Sequence, residues 1–375
     1  MRKRQIYIIA CKVLRKIHLN HLSYRITHFL VNHSSVDVSN LAQCEETLAK
    51  VYPDQGKSCV RNNPPSVSKS YDLQIVIPAY NVEKYIGDCL ESVFSQQTRY
   101  SYLVVVVNDG STDSTAEVLT KYQDYKNIRI IHQANRGLSG ARNKALERIE
   151  AEYVTFLDSD DQLMPLAIEN MMNAAISGNY DMVAGGYETF SRDLVLSSHI
   201  LQSSHNYLSI PGFACVKIYR SSLFADIHFP EHYLFEDTLV SFVLYQKCCS
   251  IVSIPDIVYR YRVNNQGITA TSKANPKSLD SFWITKRLLE DRTILGIEEE
   301  PTVFAIILLR QIYINFSRIY TLGNKEVDKA VFVLSVKMIE DQFEDRPSGL
   351  GKYEDLYQAL ISHNYSAYRW FCLLH

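Results

Sequence analysis

The chain has 375 residues, 46% hydrophobic and 21% charged, with a formal net charge of −2 at pH 7. That mix is an ordinary globular one, which excludes a disordered chain and leaves room for one large domain or two to three smaller ones. A nearly neutral chain gives no global attraction to phosphate backbones, so nucleic acid is not expected as a partner.

Residues 1–33 come first and carry Arg2, Lys3, Arg4, Lys12, Arg15, Lys16 and Arg25, with no acid before Asp37. Ile6, Ile9, Ala10, Val13, Leu14 and Ile17 recur at helical spacing. Two readings are open for this basic amphipathic helix: peripheral contact with an anionic membrane surface, or packing on the chain's own domain with a solvated basic face. The stretch Asp54 to Ser70, rich in Pro, Ser and Asn, reads as a linker. From Asp72 a regular alternation follows: strand Leu73–Pro78, helix Val82–Gln97, strand Leu103–Val107, helix Ser114–Tyr122 and strand Ile128–His132. Helix Leu138–Ile149, strand Tyr153–Leu157, helix Pro165–Ser177 and strand Met182–Gly185 continue it. Strands alternating with amphipathic helices predict an α/β fold with a doubly wound, mainly parallel sheet. After about residue 270 the pattern turns helical, with Ser281–Leu295, Thr302–Tyr320, Lys325–Phe343 and Tyr353–Ser362 as expected helices.

Eight cysteines form no C-x-x-C pair, and Cys248-Cys249 are expected side by side on a buried helix. A reduced, cytoplasmic compartment fits that usage better than a disulfide framework. The longest apolar runs, such as Val303 to Leu309, fall short of the roughly 20 residues that cross a bilayer. No cleavable leader is read at the start, because Lys12, Arg15 and Lys16 interrupt the apolar run. A cytoplasmic protein is therefore expected, soluble or peripheral on the inner face of the membrane.

Two acidic clusters carry the chemistry: Asn108-Asp109-Gly110-Ser111-Thr112-Asp113 and Asp158-Ser159-Asp160-Asp161, each after a wholly apolar strand. Carboxylates at the carboxyl ends of parallel strands stand where open α/β sheets bind ligands. Asp158 and Asp160, one residue apart, can hold a hard cation, Mg²⁺ or Mn²⁺, whose other positions go to water and phosphate. Asp160 is the expected direct ligand, and Asp158 a ribose or water-mediated metal contact. Asp161 is expected either to cap the helix near Pro165 or to position Asp160.

Pro78-Ala79-Tyr80-Asn81 leaves the first strand, where Tyr80 can stack on a nucleobase. Asp109 can accept a uracil imide N–H or pair with an arginine, and Ser111 or Asp113 can cap the following helix. Arg136-Gly137-Leu138-Ser139-Gly140-Ala141-Arg142 opens a helix, whose N-terminus favours anions. Arg136 and Arg142 can neutralise a diphosphate or hold the acidic residues in place. Farther on, Phe235, Leu239 and Phe242 recur at helical spacing, which puts Glu236 and Asp237 at a helix N-terminus. Their ordinary role there is dipole complementarity; their functional role is a general base, Asp237 first and Glu236 as its neighbour or substitute.

In this order the motifs resemble the family 2 glycosyltransferases of the GT-A fold. The bacterial members, which build polysaccharides and other glycans, also have segments similar to Lys217-Ile218-Tyr219-Arg220-Ser221-Ser222-Leu223-Phe224 and Tyr259-Arg260-Tyr261-Arg262. The resemblance covers roughly residues 72–265. It implies a catalytic domain over 71–265, between a basic helical extension and linker over 1–70 and a helical region over 266–375. It further implies inverting transfer from a nucleotide-diphosphate sugar, probably a UDP-sugar, to a glycan or lipid-linked acceptor. Asp160 would hold the metal, Asp237 would be the base, and Arg262 would close over the diphosphate. The chain departs from the pattern of processive synthases: Arg369-Trp370 lies near the C-terminus, with Ser366 where a Gln would precede it. A single-addition enzyme is the expectation.

Two rivals are weighed against it. A sugar-nucleotide nucleotidyltransferase usually has a Gly-rich basic loop after the first strand, which Tyr80-Asn81-Val82-Glu83 is not. A non-catalytic nucleotide-sugar binder is expected to lack Asp160 or Asp237, and both are present. Zinc is not expected from His228, Glu231 and His232, which read as surface residues.

Overall fold

An uninterrupted apolar strand needs both its faces covered, and a parallel sheet between helices supplies that cover. In the computed structural model, which describes residues 35–192, 194–264, 274–298 and 300–374, the apolar runs find it. Strands β1 (Ser66–Ala79), β2 (Tyr102–Asp109), β3 (Ile128–Gln133) and β4 (Arg148–Phe156) form a parallel block in the order β3-β2-β1-β4. The helix expected over residues 1–33 lies outside the described residues.

Beyond β4 the sheet turns mixed. After β5 (Gln162–Leu163), β6 (Met182–Ser191) and β7 (Leu194–His199), the short β8 (Lys217–Arg220) inserts antiparallel between β4 and β6. Because β8 reverses direction against both neighbours, β6 runs the same way as β4. The last strand, β9 (Ile251–Arg262), pairs parallel to β6 and antiparallel to β5. Pro255 lies in β9 where the register with β6 shifts, between Ser253 and Ile257, the kind of irregularity at which a strand tolerates proline.

The chain leaves β1 outward to β2 and β3, then returns to the other side of β1 as β4. The gap between β1 and β4 is thus a switch point, where such sheets bind ligands at their carboxyl ends. Leu73, Ile75 and Ile77 of β1 pack with Ile86, Cys89, Leu90 and Val93 of helix Ile86–Phe94 and with Ile168, Met171 and Met172 of helix Ala167–Gly178. Each such side chain, fully buried, contributes about 1.5–3 kcal/mol relative to exposure.

Several boundaries differ from the sequence expectation. The first strand begins at Ser66 rather than Leu73, and the helix expected over Val82–Gln97 runs only over Ile86–Phe94. Residues ahead of it are used otherwise: Asn81 has φ +52°, and the Val82 and Glu83 amides donate to Thr115 and Asp113. The helix expected to reach Ile149 ends at Leu146, because Ile149 turns into β4 and is buried there. Cys248 follows the end of helix Tyr245–Lys247 and Cys249 is exposed, so the pair does not share a buried helix. The seven described cysteines are all free.

The chain divides into two compact units. The sheet belongs to one, within Gln55–Ala270 and Arg287–Glu298; the other comprises Met1–Asp54, Thr271–Lys286 and Glu299–His375. In the second, helices Leu41–Val51, Pro301–Ile319, Lys325–Gln342, Glu354–Ile361 and Tyr365–Leu374 bury an aromatic core. Tyr368 meets Phe316 at 5.5 Å and Phe332 at 5.1 Å between ring centroids. Asn40 and Asn324 cap their helices by accepting backbone N–H groups. Contrary to the expectation from apolar runs, the stretch Pro301–Leu322, 22 residues of mean hydropathy 1.3, is long and apolar enough to cross a membrane by length and composition. It behaves as a core helix: Phe304, Leu308, Ile312, Phe316 and Ile319 are buried on one face, and the Asn315 amide bonds Ser281 and Thr285.

Candidate active site

At the end of β1, Pro78 and Ala79 are buried while Tyr80 is 50% exposed. The turn that follows is braced against the turn after β2. Asn81 donates its amide to Ser111 Oγ and accepts from the Thr112 N–H through Oδ1 (3.0 and 2.8 Å), and Glu83 accepts from the Ser114 N–H at 2.8 Å. Asp113 accepts from Thr115 at 3.0 Å, one residue past the Ser114 N-cap, which has no side-chain cap bond of its own. Ser111 and Asp113 thus lace two turns together more than they cap a helix. Gly110, between them, has φ +74°, and a β-carbon there would stand 2.9 Å from the Asn135 amide nitrogen. That conformation and that approach both require glycine.

Asp109 is buried at the end of β2, and its Oδ1 accepts from Gln133 Nε2 (2.6 Å) and the Arg136 N–H (2.9 Å). Arg136 in turn extends to Glu231 (2.7 Å), which also takes Lys57 (3.0 Å). Glu231, expected at the surface beside His228 and His232, is therefore a buried anchor; of the three only His232 is exposed. Gly137 opens helix Gly137–Leu146 at φ +75°.

Beyond β4, the acidic turn is held by β9. The Tyr259 hydroxyl accepts from the Asp158 N–H (3.2 Å) and donates to Asp161 Oδ2 (2.7 Å), while the Arg262 N–H donates to Asp161 Oδ1 (2.7 Å). Asp161 thus ties the turn to β9 and caps no helix. Arg262 Nε donates to the Asp160 carbonyl (2.7 Å), its Nη2 reaches Asp88 (3.2 Å), and its guanidinium lies over the rings of Tyr85 and Phe190. Asn264 donates to Asp160 Oδ2 at 3.2 Å. Burial first, then the Asp158 charge, raises the carboxyls of both Asp160 and Asp161 above their ordinary value.

The centre of the site is Arg142, 1% exposed on helix Gly137–Leu146. Its guanidinium reaches Asp158 at 3.0 Å, Glu236 at 2.7 Å and Asp237 at 3.3 Å, and stacks near the rings of Phe229 and Phe156. Burial opposes its charge, but Asp158, Asp237 and Glu236 outweigh burial and raise its pKa further. Glu236 and Asp237 sit on the turn that leads into the π-helical stretch Val240–Leu244. Burial and the Asp237 charge push Glu236 up; burial raises Asp237 too, against Arg142 and a hydrogen bond from the Ala214 amide. Accessibility separates the two: the Glu236 side chain is 8% exposed and that of Asp237 34%.

The structure therefore brings Asp158, Arg142, Glu236 and Asp237 into direct contact and sets Asp160 and Arg262 beside them. Arg136 joins Asp109 in a neighbouring network, and Tyr80 stays open at the rim. Sequence reasoning gave no role to Tyr259, Asn264, Lys217 or Ala214. A lysine and a tyrosine inside apolar strands were the signals available, since a buried polar group needs a partner. Among the described residues no group of three or more His, Cys, Asp or Glu is arranged to hold a metal. Asp158 and Asp160 nonetheless suit a hard divalent cation: they offer carboxylate oxygens, and desolvation beside a second carboxylate makes Asp160 hard to ionise without a cation.

Comparison with known proteins agrees with this layout. The model of glycosyl transferase family 2 matches residues 74–229. The glycosyltransferase GlyA of Streptococcus pneumoniae is 30% identical over 218 residues, covering 52% of this chain and 31% of GlyA. The putative glycosyltransferase EpsH of Bacillus subtilis is 30% identical over 217 residues, covering 52% of this chain and 62% of EpsH. The chain thus spans less than two thirds of either relative. A crystal structure of Staphylococcus aureus TarS 1–349 in complex with UDP-GlcNAc superposes with a TM-score of 0.64 at 22% identity, over 80% of this chain and 89% of TarS, a likeness of fold. The parallel block, its acidic strand ends and these relatives together make residues 74–229 a glycosyl transferase family 2 domain of the GT-A fold, and the chain belongs to that bacterial family.

Proposed function

We propose that the chain is an inverting, non-processive glycosyltransferase that moves a sugar from a nucleoside diphosphate, UDP by preference, to a hydroxyl of a glycan or lipid-linked acceptor. The observation that carries the reading is the Arg142 bridge: one guanidinium 3.0 Å from Asp158 and 3.3 Å from Asp237. A donor-side carboxylate and an accessible carboxylate are thereby held a fixed short span apart, as a single displacement at an anomeric carbon requires.

In this reading Tyr80 stacks on the base, Pro78 and Ala79 shape the floor beneath it, and Asp109 meets the base edge. Arg136, Gly137 and Arg262 face the phosphates. The UDP-GlcNAc bound in the TarS crystal supports a uridine donor. Asp160 and Asp158 would hold Mn²⁺ or Mg²⁺, which when bound supplies Lewis-acid stabilisation of the leaving diphosphate. Asp237 takes the proton of the acceptor hydroxyl, and that oxygen bonds to the anomeric carbon. The carbon–phosphate oxygen bond breaks, and its electron pair leaves with the nucleoside diphosphate. Attack from the opposite face inverts the centre. Glu236, sealed behind Arg142, holds that guanidinium in place.

Two measurements test the base. Asp237→Asn should keep UDP binding within about twofold while kcat falls on the order of 10²- to 10⁴-fold. In the unaltered protein, kcat should be present above the raised Asp237 pKa and be lost as pH falls through it, at a pH higher than the ordinary aspartate value of 3.8. Full turnover by Asp237→Asn would remove Asp237 from the mechanism.

A further inference from the structure

Ahead of β8 the backbone makes a bend, Phe213–Val216, that no part of the proposed reaction uses. Val216 has φ +62°, a left-handed conformation that a β-branched residue adopts only when its surroundings impose it, at a cost of about 1–3 kcal/mol. The surroundings are specific. The Lys217 ammonium, on a fully buried side chain, donates to the carbonyls of Phe213 (2.6 Å) and Cys215 (3.4 Å) and lies 5.0 Å from the Phe213 ring centroid. Tyr219, two residues on and so on the same face of the strand, is also fully buried and donates its hydroxyl to the Ala214 carbonyl at 2.9 Å. The Gly185 amide takes the Val216 carbonyl at 3.0 Å. All four carbonyls of the bend are engaged, and its one outward donation is the Ala214 N–H to the Asp237 carboxylate.

We propose that Lys217 and Tyr219 are positioning residues for Asp237, acting through the bend Phe213–Val216, which they hold so that the Ala214 amide fixes the carboxylate from the side opposite Arg142. A buried lysine is costly unless its donors are used, and here they are used on the backbone of one turn rather than on a carboxylate. The arrangement gives Asp237 two fixed donors, one from helix Gly137–Leu146 and one from the bend, and leaves the rest of its surface open. The proposal rests on the reading of Asp237 as the base only for its consequence in turnover; the geometric role stands apart from it.

The test is a carbon-13 NMR titration of the aspartate carboxyls in the full chain, with the Asp237 signal identified by its loss in Asp237→Asn. Around that carboxyl stand Arg142, Asp158, Glu236 and Lys217 as charged or titratable groups. Tyr219→Phe removes one hydroxyl and little volume, and Lys217→Met removes the ammonium at similar length. Weakening the Ala214 donation disfavours the charged form, so the apparent pKa of Asp237 should move upward by roughly half a pH unit in Tyr219→Phe and further in Lys217→Met. UDP affinity should stay within about twofold in both. Should Lys217→Met not fold, Tyr219→Phe decides alone. An Asp237 titration unmoved in Tyr219→Phe overturns the positioning role, even where Asp237→Asn is inactive. A shifted titration upholds it, even where Asp237→Asn turns over and the base reading fails.

Discussion

One guanidinium can set the spacing of three carboxylates, but its single charge cannot neutralise them. Arg142 does the first for Asp158, Glu236 and Asp237, and the remaining negative charge is what raises Glu236 and Asp237. Removing it leaves buried acids without a counter-ion, and such losses cost about 3–5 kcal/mol. Arg142→Met should therefore lower the unfolding free energy by that amount in urea titration and abolish turnover; a variant as stable as the parent would refute the bridging role. At this scale the sequence displayed the acids and hid the contacts. Asp109, Asp158 and Asp160 stood out because each follows an apolar strand. For Arg142 both roles were open, because its partners Glu236 and Asp237 lie 94 and 95 residues away. Only the folded chain decides between a diphosphate ligand and a carboxylate anchor in the absence of donor.

At the scale of elements, the site is a set of turns, each tied to a neighbour. The turn after β1 is laced to the turn after β2 by Asn81, Glu83, Ser111 and Asp113, and the acidic turn after β4 is laced to β9 by Tyr259 and Asp161. Tyr259→Phe would leave Asp161 Oδ2 and the Asp158 amide without that partner, at about 1–3 kcal/mol. The expected result is a lower melting temperature together with metal-dependent UDP affinity weakened by roughly tenfold, since 1.4 kcal/mol of loosened geometry is tenfold in binding. Unchanged affinity would mean that the acidic turn holds its shape without β9. The strands before these turns were legible as apolar runs between turn residues. Strand β9 was not, because Pro255 interrupts it and the bulge that accommodates the proline exists only against β6. Strand β8 escaped notice for a related reason: four residues long, with a lysine at its head, it lacks both length and pattern.

The whole molecule joins a half-parallel sheet unit to a helical unit, and the two obey different physical rules. The sheet unit buries charge in networks; the helical unit buries mostly aromatic and aliphatic side chains, with isolated polar groups. Asp328, on helix Lys325–Gln342, is one: burial pushes its carboxyl up to about 6 from the ordinary 3.8, with Arg369 opposing. A carboxyl raised on folding adds stability that is full below its unfolded pKa and is lost as pH rises through the folded one. Stability should thus decline between about pH 4 and pH 6, and Asp328→Asn should flatten that part of a melting-temperature profile; an unaltered slope would clear Asp328 of the effect. The helices of this region were legible to within a residue or two at most ends, whereas helix Tyr365–Leu374 was missed because its alternating aromatic and polar residues set up no apolar stripe.

The central claim is that the acidic turn after β4 is the metal-assisted seat of a nucleoside diphosphate donor. Calorimetric titration of UDP into the full chain in Mn²⁺, repeated in EDTA and with Asp160→Asn, tests it most directly. The account predicts binding in Mn²⁺ that EDTA abolishes and that Asp160→Asn loses. Equal binding with and without the metal, or an Asp160→Asn variant that binds like the parent, would contradict it.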